Sequence, residues 1–508
     1  MPRSSSFPMP TVSDLQDAGA LGGLDISEAD AARFRDNLFP FFDMAGEMLT
    51  VPDYLPEVRY PRTPGYRPEG EENRYNAWYY KTSVKGTPGG RLAGKTVALK
   101  DNVMLAGVPM MNGASMLEGF TPEIDATIVT RMLDEGAEIA GKAHCEFFCL
   151  SSGSQTNATG PCHNPHRIGH TAGGSSSGSA ALVAAGEVDM SIGGDQAGSI
   201  RMPAAFCGVY GMKPTHGLVP YSGILGMEAT IDHAGPMTNS VADNALLLEV
   251  LAGPDGMDGR QVGVQTHAYS EGLDAGIKGM KIGVVKEGFG LRQSEAAVDA
   301  KVKAAAEKLA ALGAEVEEVS VPLHAQIGVW YMPMLAEGMA RQMFFGGGVS
   351  YGLNQLYPPG YVTRAASWKD RANEFPVNVT AFLLYGSYLM KVSRGRLYGK
   401  GINLRRKARA IYDELFGRYD LLAMPTVPMT AQKHAEATGS WEDWLAHCWD
   451  PLPNTSPYNY TGLPSMNVPC GMVDGLPVGL MLTGNAWQEQ KIYRAAYAFE
   501  QAGDWKTM

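Results

Sequence analysis

The sequence predicts an α/β fold: a central β-sheet flanked by helices, with an N-terminal helical cap and a smaller α/β lobe. Three observations predict it. From residue 95 onward, short apolar strand patterns alternate with helical ones. A second β-α-β unit opens near Lys278. Two glycine-serine stretches, Gly173–Ser179 and Gly194–Arg201, sit inside dense apolar sequence, where a flexible linker would not.

Each element follows from local pattern. Ser27-Glu28-Ala29-Asp30 reads as a helix start, and Ala32, Phe34, Leu38 and Phe41 repeat at rough helical spacing. Residues 56–90 are dense in Pro, Gly, Tyr and charge and read as an ordered connector. Lys95–Lys100 is a short apolar strand ending in lysine, residues 127–135 form a helix capped by Gly136, and residues 137–141 form the next strand. Residues 180–186 read as a helix behind the first glycine loop, and residues 188–192 as a strand leading into the second. In the later unit, residues 280–285 are a strand, 294–312 an alanine-rich helix stopped by Gly313, and 314–321 an alternating strand. Residues 420–425 return to buried strand, and the Gly- and Pro-containing tail rejoins the main sheet. The expected divisions are a cap and connector over 1–88, a large domain over 89–277 and 419–508, and a small lobe over 278–418.

A 508-residue chain can bury a large core. A formal charge of −11, with no basic run, argues against a nucleic-acid surface. No stretch approaches the roughly 18 apolar residues of a membrane span, and the first residues lack the apolar core of a signal peptide. The six cysteines are sparse, without paired metal spacing, and predict reduced thiols in a cytoplasmic protein.

Four chemistries could use the two glycine loops. A phosphate loop needs a closing Gly-Lys-Ser/Thr, which neither loop has. Gly174–Gly178 formally matches G-x-S-x-G, but that elbow requires a buried strand just before it, and residues 164–171 read as a turn-rich loop. His163, His166 and His170 lack a second cluster to complete a zinc set, so no metal is expected. The fourth option is serine chemistry with a lysine base. Lys100 ends an apolar strand, where burial disfavours the charged amine.

Lys100-Asp101-Asn102, Gly173–Ser179 and Gly194–Arg201, with Lys100, Ser175 and Ser199 at separations of 75 and 24 positions, together resemble the amidase signature family. The resemblance runs on through Pro203–Gly208, Gly211–Thr215, Gly217–Tyr221 and Ile231–Pro236, and resumes at Thr461–Pro464 and Gly475–Gly479. Val108–Gly113 and Glu118–Pro122 look most like bacterial enantioselective amidases found beside nitrile-degrading enzymes.

This resemblance implies an amidase-signature fold with a central mixed sheet, and amide hydrolysis through a Ser-cisSer-Lys triad. Ser199 would be the nucleophile, Ser175 the bridging serine after a cis Gly174–Ser175 peptide, and Lys100 the base. The backbone N–H groups of Gln196, Ala197, Gly198 and Ser199 would form the oxyanion hole. Ala197 departs from the glycine usual in relatives, and alanine resists positive φ. Asp195 and Arg201 would form a buried support pair, and Leu150, Ile231 and Trp330 would line the substrate pocket. The implied substrates are small aromatic or aliphatic amides, with anilides and hydrazides as alternatives. No cofactor is implied, and a homodimer is. An ammonia-supplying amidotransferase subunit, which shares the triad, is the competing reading.

Overall fold

The computed structural model describes residues 8–63, 65–347, 354–436 and 439–508. The chain divides into two compact units, Met1–Pro56 and Glu57–Met508.

The first unit contains two helices. Thr11 caps Val12–Leu21 through a reciprocal bond pair with Asp14, and Ser27 caps Glu28–Met48 by accepting from the Asp30 N–H. Capping at Ser27 matches the sequence pattern. Within this unit the longer helix leaves Phe34, Phe41, Met44 and Met48 exposed.

The second unit is built on thirteen strands among its described residues: β1 (Trp78–Lys85), β2 (Thr96–Lys100), β3 (Glu138–Ala143), β4 (His163–Asn164), β5 (Arg167–Thr171), β6 (Met190–Asp195), β7 (Tyr210–Lys213), β8 (His233–Thr238), β9 (Lys281–Val285), β10 (Glu315–Val319), β11 (Leu421–Pro425), β12 (Ser465–Val473) and β13 (Leu476–Gly484). Eleven of them form one sheet, in the order β1-β3-β2-β6-β8-β7-β12-β13-β11-β9-β10. The sheet is mixed. β2 runs parallel to β3 and β6, β6 antiparallel to β8, and β9 parallel to β10 and β11. The tail strands β12 and β13 form an antiparallel pair inside the sheet, with β11 on the far side of β13. The β9–helix–β10 unit extends the same sheet at its edge instead of building a separate one.

Burial sets the strand order. Val97, Ala98 and Leu99 of β2 are wholly buried between β3 and β6, as the unbroken apolar run requires of a central parallel strand. Burying Val97 or Leu99 stabilises by about 1.5–3 kcal/mol each. Lys100, the last residue of β2, is therefore carried into the core at the strand's C-terminal end.

Two segments differ from the sequence expectation. Part of the connector is strand β1, which pairs antiparallel with β3 and hides behind polar residues such as Lys81 and Thr82. Residues 164–171 are not a plain loop but nearly all of the hairpin β4–β5, which lies outside the main sheet. Among the described residues, no helix is long and apolar enough to cross a membrane.

Candidate active site

Both glycine loops connect a strand to a buried helix. The first leads from β5 into the helix Ser177–Ala184, whose residues through Val183 are buried. Gly178 is required there: a Cβ would meet the Ala77 carbonyl and approach the His144 nitrogen within 2.5 Å. The second loop follows β6 and leads into the helix Arg201–Cys207.

Hydrogen bonds stitch the two loops together. Ser176 Oγ donates to the Gly194 carbonyl at 3.1 Å, and the Ser176 N–H donates to the Ser199 carbonyl at 3.3 Å. Ser179 Oγ donates to the Ile192 carbonyl at 2.9 Å, tying the helix start to β6. The Gly174–Ser175 peptide is cis.

Lys100 reaches into this junction. Its Nζ lies 2.7 Å from Ser175 Oγ and 2.9 Å from the Gly194 carbonyl oxygen. Lys100 and Ser175 are wholly buried, whereas Ser199 keeps 5% exposure and faces a chamber. Among the described residues no carboxylate forms an ion pair with the Lys100 amine. Lys142, the neighbouring buried lysine, does have one, with Asp101 at 3.6 Å. Burial pushes Asp101 up to about 6, although Lys142 and the N–H groups of Met111 and Asn112 oppose the shift.

The second loop is held from behind by a buried ion pair. Arg201 Nε donates to Asp195 Oδ2 at 3.1 Å and Nη2 to Oδ1 at 3.1 Å, with both side chains fully buried. Arg201 also donates to the Thr455 carbonyl, Ser465 Oγ and Asn459 Oδ1. Burial alone would raise Asp195, but Arg201, Lys213 and the Ile200 N–H outweigh it and hold the carboxyl down at about 2.

The same carboxylate corrects one expectation about the oxyanion hole. The Gly198 N–H donates to Asp195 Oδ1 at 2.7 Å and is committed within the loop. The N–H groups of Gln196, Ala197 and Ser199 have no acceptor among the described residues. Ala197 takes no positive φ; that demand falls on Gly198, at φ 139°. Thr455 Oγ donates to the Ala197 carbonyl at 2.6 Å. A Cβ at Gly198 would come within 2.7 Å of Thr455 Cβ. Gly198→Ala should therefore displace the loop and lower kcat by at least about 10²-fold, measured as amide turnover. A rate within threefold of wild type would show that the loop has slack there.

The chamber at Ser199 measures about 30 Å³. Of the three residues expected to line it, only Leu150 does. Ile231 is wholly buried outside it, with its carbonyl bonded to His233 Nδ1 at 2.6 Å. Trp330 sits on the helix Pro322–Met339, but Met332 and Leu335 of that helix reach the chamber instead, because residues two apart lie on opposing helix faces. Tyr331 of the same helix donates its hydroxyl to the Gln196 carbonyl at 2.5 Å. Cys149 and Met202 also line the chamber. Met202 directly follows the second loop, whereas Cys149 has no such signal, and Met332 and Leu335 had none beyond helical spacing.

The remaining nucleophilic and ligating groups are accounted for. All six cysteines are unpaired and buried. Cys145 and Cys149 both direct Sγ at Asn112 Oδ1, at 3.7 and 3.2 Å. His163 packs edge-on against His434, and His166 bonds the Cys207 carbonyl at 3.0 Å. Among the described residues no three His, Cys, Asp or Glu side chains are arranged to hold a metal ion.

Comparison with known proteins places the chain in a family. The amidase family model matches residues 70–493. An enantioselective amidase of Rhodococcus rhodochrous is 43% identical over 442 residues, covering 86% of this chain and 84% of that protein. The A component of the glutamyl-tRNA(Gln) amidotransferase of Synechococcus sp. (strain CC9902) is 38% identical, covering 82% and 84%. The crystal structure of a bacterial aryl acylamidase of the amidase signature family superposes with a TM-score of 0.69 at 27% identity, covering 82% and 84%. Matched across most of its length in sequence and in fold, the chain belongs to the amidase family and is an amide-hydrolysing enzyme.

Proposed function

We propose that the protein hydrolyses small carboxylic amides through an acyl-enzyme on Ser199. The observation that carries this reading is the 2.7 Å contact of Lys100 Nζ with Ser175 Oγ, at a junction bonded directly to Ser199. A serine hydroxyl is a poor nucleophile without an adjacent base. Here the Lys100 amine takes the proton of Ser175 while Ser175 takes that of Ser199. Ser199 Oγ then bonds the carbonyl carbon. The N–H groups of Gln196, Ala197 and Ser199 receive the developing oxyanion. Collapse breaks the C–N bond, and the relay runs back to protonate the leaving nitrogen. Water attacks the ester by the same relay and releases the carboxylate, restoring Ser199.

The apolar lining of this small chamber, with Leu150, Met202 and Leu335, supports an apolar acyl group over a charged one. The deciding assay measures ammonia from benzamide and propionamide, aniline from an anilide and hydrazine from benzoic hydrazide. Turnover of the primary amides supports the stand-alone amidase, and preference for the anilide or hydrazide reassigns the leaving group. The similarity to the amidotransferase component supports a second reading, in which the protein supplies ammonia to a partner. Inactivity on the whole panel, together with copurifying partner chains, would favour that reading.

The same proposal includes a homodimer and a cytoplasmic location. The exposed apolar side chains Phe34, Phe41, Met44 and Met48 support self-association, and six unpaired buried cysteines fit a reducing compartment. Light scattering should give twice the 54.5 kDa chain mass, and a monomer would remove the dimer.

A further inference from the structure

We propose that a second chamber, beside the Ser199 chamber, binds the amine half of the amide, and that Met227 is the gate between the two. This rests on the amide-hydrolase reading above and names the part of the substrate which that reading leaves open. The second chamber measures about 90 Å³. Among the described residues, Met227 is the one side chain that lines both chambers. Gln196 links them as well: it borders the Ser199 chamber, and its Nε2 donates at 3.0 Å to the hydroxyl of Tyr221, which lines the second.

The chemistry of the two walls differs. Around Ser199 the lining is largely apolar, whereas the second chamber carries Glu228, Asp232, Asp258 and Arg260. Arg260 closes on Asp258, with Nη2 at 2.6 Å and Nε at 2.8 Å, so that pair is neutralised internally. Among the described residues, Glu228 accepts only neutral donors, Gln342 Nε2 and Tyr398 OH, each at 2.8 Å, and the Thr230 hydroxyl and N–H. Asp232 accepts the Met227 and Glu228 N–H groups, and burial pushes it up to about 7 although Arg260 opposes the shift. Glu228, which has no ion pair among the described residues, makes this wall one that suits an amine and disfavours the carboxylate product. A buried hydroxyl, Ser222 Oγ, lines this chamber and has no hydrogen-bond partner among the described residues. Buried polar groups are rarely left so, and a ligand amine or its N–H would satisfy it.

Met227 is built to move. Its backbone is fixed, because its N–H donates to Asp232 Oδ2 at 3.0 Å. Its side chain has three rotatable bonds and a soft thioether, which lets it yield to a substituent on nitrogen.

The test compares amides that share an acyl group: benzamide and N-(2-aminoethyl)benzamide, with propionamide as the acyl control. Met227→Ala should raise kcat/KM for the N-substituted amide relative to benzamide by about tenfold or more, and Met227→Trp should lower it by as much, the scale of one pocket contact. The benzamide-to-propionamide ratio should move by less than about threefold. Should the Met227 variants fail to fold, Leu356→Trp fills the same chamber from its far wall and should lower the N-substituted ratio by about tenfold. An acyl ratio that shifts while the amine ratio stays constant would place Met227 in the acyl pocket and overturn the proposal. A wild type that hydrolyses benzamide through Ser199 but shows unchanged amine ratios in every variant removes the chamber alone. A wild type inactive on all three amides removes the hydrolase reading with it.

Discussion

Ser199→Ala is expected to lower kcat for amide hydrolysis by about 10⁴-fold or more while leaving the melting temperature close to that of the wild type. The magnitude follows from its position. Ser199 is the one hydroxyl of the proposed relay that keeps contact with the chamber, and deleting it removes the bond-forming atom itself. Ser175→Ala and Lys100→Met should each cost a comparable factor, because residues that act as a unit do not contribute additively. A double variant should be little worse than either single one. Single-turnover assays with an active ester separate the steps: Ser199→Ala should show no acyl-enzyme by intact mass, whereas the wild type should show one. If Ser199→Ala retained turnover within tenfold of wild type, or if the acyl adduct mapped to Ser175, the assignment of the nucleophile would be wrong.

Asp195→Ala is expected to destabilise the protein by about 3–5 kcal/mol, the usual cost of removing one partner from a buried ion pair. The reason is what it leaves behind. Arg201 is fully buried, and losing Asp195 strips two of its charge-assisted bonds and the acceptor of the Gly198 and Ile200 N–H groups. Urea denaturation would measure the change, and a loss below about 1 kcal/mol would mean that Asn459 and Thr455 suffice to hold the guanidinium. The same carboxylate sets an acid limit. Its folded pKa of about 2 lies below the ordinary value of 3.8, so its contribution of about 2 kcal/mol is present above pH 4 and is lost as pH falls through 2. The Asp195→Asn variant should therefore lose the part of acid unfolding that lies in that window.

Much of the site was legible before any coordinates. Lys100, Ser175 and Ser199 come from separated segments; the apolar run ending in Lys100 and the two glycine loops read locally, and the resemblance to the amidase signature family singles out the two serines. The alternation of strand and helix was legible for the same reason, since β2, β6, β9, β10 and β11 are short apolar or alternating runs with clear turn residues at their ends. β1, β4 and β5 escaped because their residues are polar or few, and pairing of β1 with β3 and of β4 with β5 decides them rather than pattern.

What the chamber holds was decided only by tertiary structure. Pocket residues are specified by which face of an element turns inward, and a rotation of one or two positions exchanges Trp330 for Met332 and Leu335 without altering any local signal. The fate of the Gly198 N–H was equally out of reach, because it depends on where the Asp195 carboxylate ends once Arg201 has drawn it in. The sequence by itself determined the α/β class and the two loops, since those are properties of runs and spacings, and its resemblance to the amidase signature family supplied the three residues of the proposed relay. Only the fold determined the chambers, the ion pair behind the loop and the place of Met227, since those depend on distances between segments that no local pattern encodes.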